Sequence, residues 1–192
     1  MRREASRLLL VDMQERLVPA IAGYDAVERN CLRLLQACRI LEIPVTVSEQ
    51  YPAGLGPTVP PLAAAAGDAP RFEKLEFSCL RDTALAAHLA ADARDIVLCG
   101  LEAHVCVLQT AFDLLARGRR CFVVADAVGS RTEDNKQAGL RRLEQAGAQI
   151  VTTEMALFEW LERAGTPAFK EVSRLIRKAA AILRPPDRSN WC

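Results

Sequence analysis

The stretch IVLCGLEAHVCVLQTAFDLLARG, Ile96 to Gly118, decides how this chain is read. It opens inside DIVLCG (95–100), a short apolar run with β-branched residues that ends on a glycine. Such a run reads as a strand buried on both faces. From Ala103 to Arg117 the spacing becomes helical: Val105, Leu108, Phe112 and Leu115 share one face, and Val107, Ala111 and Leu114 widen it. Gly118 closes the helix in the C′ position. Cys106 falls in the first turn, on the more polar stripe with Gln109, Thr110 and Asp113. First-turn N–H groups have no intrahelical acceptor, and the helix dipole favours negative charge there. The placement therefore predicts a thiol of lowered pKa, a better nucleophile at neutral pH, beside N–H groups that can receive an oxyanion. The competing reading is a small half-buried side chain with no chemistry, which is the usual role of a free cysteine. That reading suits Cys31 and Cys38, seven apart on one helical pattern, and Cys99 and Cys121, in or beside strands.

The same alternation runs through the chain. RLLLVD (7–12), IPVTVSE (43–49), CFVVAD (121–126) and the short AQIVTT (148–153) have strand length and content. Helical patterns cover roughly 23–41, 81–91, 103–117 and 133–146. Strands alternating with helices predict an α/β fold with a mostly parallel, Rossmann-like sheet covered on both sides and right-handed crossovers. The segment YPAGLGPTVPP (51–61) is rich in Pro and Gly and reads as an ordered excursion. FKEVSRLIRKAAAILR (169–184) reads as an amphipathic basic helix packed on the domain, followed by a loose tail at 185–192. With neither an internal repeat nor a boundary signal, residues 1–192 are expected to form one domain.

Bulk properties exclude several function classes. Half of the 192 residues are apolar and the net charge is +1, with both signs interspersed, so no basic nucleic-acid face is expected. The N-terminal apolar run is closed by Asp12, too short for a signal h-region or a membrane span. Seven cysteines without an export signal read as reduced thiols in a cytoplasm. There is no CxxC and no HExxH, and the histidines are His88 and His104 alone, so zinc is not expected. VDMQERLVP after the first strand has no glycine, against a dinucleotide fold, and no GxSxG supports a serine hydrolase.

Ligands of open parallel sheets bind beyond the carboxyl ends of the strands. The residues there are Asp12, Glu49, Gly100 and Asp126. Asp12 is a candidate base for Cys106, or else a turn or capping residue. Lys74, in the short β-like stretch RFEKLEFS between Phe72, Leu75 and Phe77, is a candidate charge stabiliser, or else an ordinary solvated or ion-paired lysine. His104 is poorly placed as a base for Cys106, because side chains two apart on a helix do not face each other. Substrate contact or helix capping remain open for it.

Taken together, LLLVDMQERL, VTVSEQYPAGLGPTVPPL, FEKLEFSC, CGLEAHVCVLQTAFDLLARG and VVADAVGSR resemble the isochorismatase-like (cysteine) hydrolase family over about residues 8–160. The SEQYPAGLGPT segment is similar to the branch called isochorismatase domain-containing proteins. The resemblance implies a three-layer α/β/α sandwich and a catalytic triad carried onto Asp12, Lys74 and Cys106. It implies a cis peptide at Leu101–Glu102 and an oxyanion hole made by the backbone N–H groups of Glu102 and Cys106. It also implies a homo-oligomer, with 51–65 and the C-terminal helix as candidate interface pieces. Gln14, Gln50, Phe77 and His104 are candidate substrate contacts, and Asp126, Ser130 and Arg131 match the ADAVGSR pattern, readable also as a bonded turn with Thr132 capping the next helix. Two departures sharpen the expectation. Nicotinamidases of the family carry an Asp-x-His metal site where this chain has Ser48, Glu49 and Gln50, so no metal and no cofactor is expected. True isochorismatases lack the cysteine, so vinyl-ether hydrolysis is not expected either. The expected function is thiol-dependent hydrolysis of a small amide, carbamoyl or related C–N compound. The alternative is a catalytically quiet scaffold or a redox-sensing thiol protein, with Cys79 as the resolving thiol.

Overall fold

The computed structural model of the chain describes residues 1–182. Six strands form one sheet: β1 (Ser6–Val11), β2 (Val45–Gln50), β3 (Arg71–Lys74), β4 (Asp95–Leu101), β5 (Cys121–Gly129) and β6 (Gln149–Val151). Their order is β3-β2-β1-β4-β5-β6, and every neighbouring pair is parallel. Among the described residues eight α-helices accompany them: α1 (Tyr24–Leu41), α2 (Pro52–Leu55), α3 (Pro60–Ala66), α4 (Thr83–Ala90), α5 (Cys106–Ala116), α6 (Glu133–Gln145), α7 (Thr153–Leu161) and α8 (Pro167–Ile182).

The unbroken apolar run of β1 follows from this layering. Successive strand side chains point to opposite faces. Leu8 and Leu10 pack into a core with α1 and α7, whereas Leu9 and Val11 pack into a second core with α4, α5 and α6. Both faces are covered, so neither parity is polar. Helix α8 packs against α1 and α7 and buries Val172 completely. The predicted helix end at 183–184, the tail 185–192 and Cys192 lie outside the described residues. Among the described residues, no helix is long and apolar enough to cross a membrane.

The excursion after β2 contains α2 and α3, each opening on proline, a residue tolerated in the first turn because its missing N–H would be unbonded there anyway. Strand β5 continues three residues beyond Asp126, through a shift of register opposite Leu98–Gly100. Helix α5 begins at Cys106, later than the apolar periodicity suggests. The preceding residues form a turn in which the Glu102 carbonyl accepts from the N–H groups of both Val105 and Val107.

Candidate active site

In this strand order the chain leaves β1 toward β2 on one side and meets β4 on the other. In open parallel sheets such a reversal is where ligands bind, beyond the carboxyl ends of the strands, here β1 and β4. Asp12 follows β1 directly, and Cys106 opens the helix after β4. Gly100 makes their approach possible. Its φ is +108°, and a Cβ there would lie 2.1 Å from the Val11 carbonyl oxygen, so no other residue fits.

Asp12 is fully buried, with φ +49°, a left-handed conformation in which Asp is enriched. Its N–H donates to the Ser48 carbonyl at 3.1 Å. Each carboxylate oxygen then accepts a side-chain donor: Oδ1 from Ser48 Oγ at 2.7 Å, and Oδ2 from Lys74 Nζ at 2.7 Å. Lys74 ends β3, two strands away, a separation of about 10 Å that its long side chain crosses over β2. Gln50, its register partner on β2, takes a second bond from Nζ at 2.6 Å.

These charges act on two thiols. Burial first, and then the negative charge of Asp12, push the Cys106 thiol well above its ordinary pKa, and the nearby Lys74 ammonium does not offset them. The lowered pKa expected from the helix start is thus reversed. The physical reason is that Cys106 is only 7% exposed and faces a carboxylate. Cys79, fully buried, is pushed up to about 11, again by burial and then by Asp12. For Lys74, burial pulls the ammonium down, but Asp12, with smaller contributions from Cys106 and Cys79, outweighs it and leaves the pKa raised. At neutral pH the site therefore holds an ammonium beside two neutral thiols.

The other candidates fall into separate groups. Gln14 clamps two loops: its Nε2 donates to the carbonyls of Gln50 and Gly56, at 2.9 and 2.7 Å, and its Oε1 accepts from the Gln50 N–H at 2.7 Å. Gln50 Nε2 donates to the Leu75 carbonyl at 2.7 Å. Phe77 is exposed. His104 is half-buried, its Nδ1 3.0 Å from Ser130 Oγ. The Leu101–Glu102 peptide bond is cis. The Glu102 carboxylate is held by Arg131 through its backbone N–H and guanidinium. Asp126 accepts from the N–H and hydroxyl of Thr153 at the start of α7, and Thr132 caps α6. Near the end of β2, Ser48 donates to Asp12, and Glu49 accepts from the N–H and hydroxyl of Thr58 at 2.8 and 2.6 Å.

Ser48 was not singled out from sequence as part of the site, and Cys79 only as the resolving thiol of the redox alternative. A signal existed for Ser48: it is a polar residue inside a strand whose buried character demands a partner for its hydroxyl. Cys79 has no comparable signal, because its packing against α5 depends on Cys79 N–H donating to Thr110 Oγ1, at 3.0 Å.

A family model described as Isochorismatase domain matches residues 6–155. The chain belongs to the isochorismatase family. Its curated relatives include isochorismatase domain-containing protein 2 of Danio rerio, 44% identical over 90% of this chain and 87% of the relative. The human protein of the same name is 39% identical over 92% of this chain and 85% of its own length. Among solved structures, one described as MAR1 ribonuclease from Caenorhabditis elegans superposes with a TM-score of 0.87 at 38% identity, covering 98% of each chain. YcaC of Pseudomonas aeruginosa, described with hexane-2,5-diol and covalent acrylamide, gives a TM-score of 0.88 over 95% of this chain and 94% of that one. At 23% identity it shares the isochorismatase-like fold alone.

Proposed function

We propose that the chain is a thiol-dependent hydrolase of a C–N bond in a small amide, carbamoyl or related compound, with Asp12, Lys74 and Cys106 as its working groups. The observation that carries this reading is the buried Lys74–Asp12 pair, 2.7 Å apart, set against the cysteine that opens α5. A buried ion pair is a weak device for stability. A proton acceptor fixed beside a thiol is what acyl transfer needs.

Cys106 rests as a neutral thiol, so its proton leaves as the new bond forms. Asp12 takes that proton while the sulfur attacks the carbonyl carbon. The electron pair displaced onto the carbonyl oxygen is received by the N–H groups of Glu102 and Cys106. When the tetrahedral adduct collapses, the C–N bond breaks and Asp12 returns the proton to the departing amine. Water, deprotonated by the same carboxylate, then adds to the thioester, and the acid and the Cys106 thiol are released. Lys74 keeps its positive charge throughout and favours each state in which negative charge sits on Asp12 or on the sulfur. The scheme uses only this chain's own groups, the substrate and water.

The redox reading asks for an exposed thiolate, whereas Cys106 and Cys79 are buried and held in the neutral form. An RNA substrate, suggested by the description of the C. elegans relative, asks for cations free to receive phosphate. Lys74 is buried and already bonded to Asp12 and Gln50. Self-association belongs to the same proposal, supported by three exposed apolar side chains, Tyr51, Leu75 and Phe77, on the loops beside the site.

A panel of small amides and carbamoyl compounds, with a structured RNA as control, tests the assignment. Turnover of a panel member should fall by about 10³-fold or more in Cys106→Ala and Asp12→Asn. Undiminished turnover in folded Cys106→Ala overturns it, as does cleavage confined to the RNA.

A further inference from the structure

We propose that Ser48 is a positioning residue for this chemistry, fixing the orientation of Asp12 so that the carboxylate accepts the Cys106 proton. This rests on the reading of Asp12 as the base for Cys106. Ser48 is fully buried near the end of β2, where Val11 of β1 is its register partner. Its carbonyl receives the Asp12 N–H at 3.1 Å, and its hydroxyl donates to Asp12 Oδ1 at 2.7 Å. One residue therefore holds both the backbone and the side chain of Asp12. Lys74 holds the other oxygen, Oδ2, also at 2.7 Å. With one donor on each oxygen, rotation of the carboxylate breaks two buried bonds, each of which is costly to leave unmade.

The two donors have separate duties. Lys74 contributes a full charge that acts on Asp12 and on both thiols. Ser48 is neutral, so it stabilises the ionised carboxylate through a directed bond without adding a charge that would also stabilise a resting thiolate. Removing its hydroxyl leaves Oδ1 without its donor, and the carboxylate is freer to turn away from the Cys106 thiol. The titratable groups facing Asp12 among the described residues are Lys74 from β3, Cys79 from the loop after it and Cys106 from α5. Of these, Cys79 also meets the Ser48 hydroxyl, whose hydrogen bond favours its thiolate, so a change at Ser48 is read at Cys106 and not at Cys79.

The test needs no physiological substrate. The full-length protein is alkylated with iodoacetamide across pH, and modification of Cys106 is followed at the peptide level. Four variants, Ser48→Ala, Ser48→Thr, Ser48→Val and Asp12→Asn, are compared, each checked for a wild-type circular dichroism spectrum. The Thr and Val variants match in shape and differ in the hydroxyl, so the inference survives poor folding of the Ala variant. At each pH the Cys106 rate in the wild type should exceed that in Asp12→Asn by about tenfold or more. Ser48→Val and Ser48→Ala should lose most of that excess, and Ser48→Thr should restore it. An excess that persists in full in Ser48→Val overturns the role of Ser48 alone. Absence of any Asp12-dependent excess in the wild type overturns the base assignment, and this inference with it.

Discussion

Taking the ammonium from Lys74 leaves the Asp12 carboxylate buried without its cation. Removing one partner of a buried pair typically costs about 3–5 kcal/mol, far more than replacing both. Lys74→Met should therefore lower stability to urea by about 3 kcal/mol, and adding Asp12→Asn should recover part of that loss. Equal or additive losses would show that the two side chains do not depend on each other. The sign of the pH dependence follows from the raised pKa of Lys74. Its contribution is complete below the ordinary lysine value of 10.5 and is lost as pH rises beyond it. Cys106 shows what a local reading misses. The helix start alone argues for an acidic thiol, but burial and a carboxylate far away in sequence reverse the sign. Gly100 is the opposite case: its place at the end of an apolar run is visible in sequence, and the closeness of the Val11 carbonyl explains why it must be glycine.

At the scale of elements, the amino-terminal end of the sheet is pinned by Arg7 of β1, whose Nη2 donates to Asp92 at 2.7 Å, with Arg94 on the same carboxylate. Burial pushes the Asp92 carboxyl up, but hydrogen bonds from Arg7 and Arg94 outweigh it and hold the pKa at about 2. A depressed carboxyl contributes stability above its ordinary value of 3.8 and loses it as pH falls toward 2. Asp92→Asn should flatten the decline of the urea midpoint between pH 4 and pH 2, and an unchanged slope would contradict the pairing. The core strands were legible because burial on both faces leaves unbroken apolar runs, as in Leu8–Val11 and Ile96–Cys99. Helices α2, α3 and α7 were not. The first two are short and interrupted by Pro and Gly, and α7 carries exposed Met155 and Phe158 that blur its amphipathic face. β3 was readable only as a short β-like stretch, since its four residues acquire strand character by pairing with β2.

At the scale of the whole molecule, strand order does what no single motif can. It brings the end of β1, the end of β3 and the start of α5 together at one edge of the sheet, so that an aspartate, a lysine and a cysteine from three distant segments act on one another. Composition and periodicity carried the α/β class. They did not carry the association of the three residues, which came from the resemblance of the ordered motifs. Nor did they reveal Ser48, whose role depends on the register of β1 against β2. The central claim is that Cys106 carries an acyl group during turnover. The most direct measurement is acid quenching of the protein with p-nitrophenyl acetate, an acyl donor that requires no knowledge of the natural substrate, followed by mass spectrometry of the cysteine peptides. The account predicts a single acetyl group on Cys106, absent in Cys106→Ala and slow to clear when Asp12 is replaced by Asn. Acetylation spread over other residues, or ester hydrolysis equally fast in folded Cys106→Ala, would contradict it.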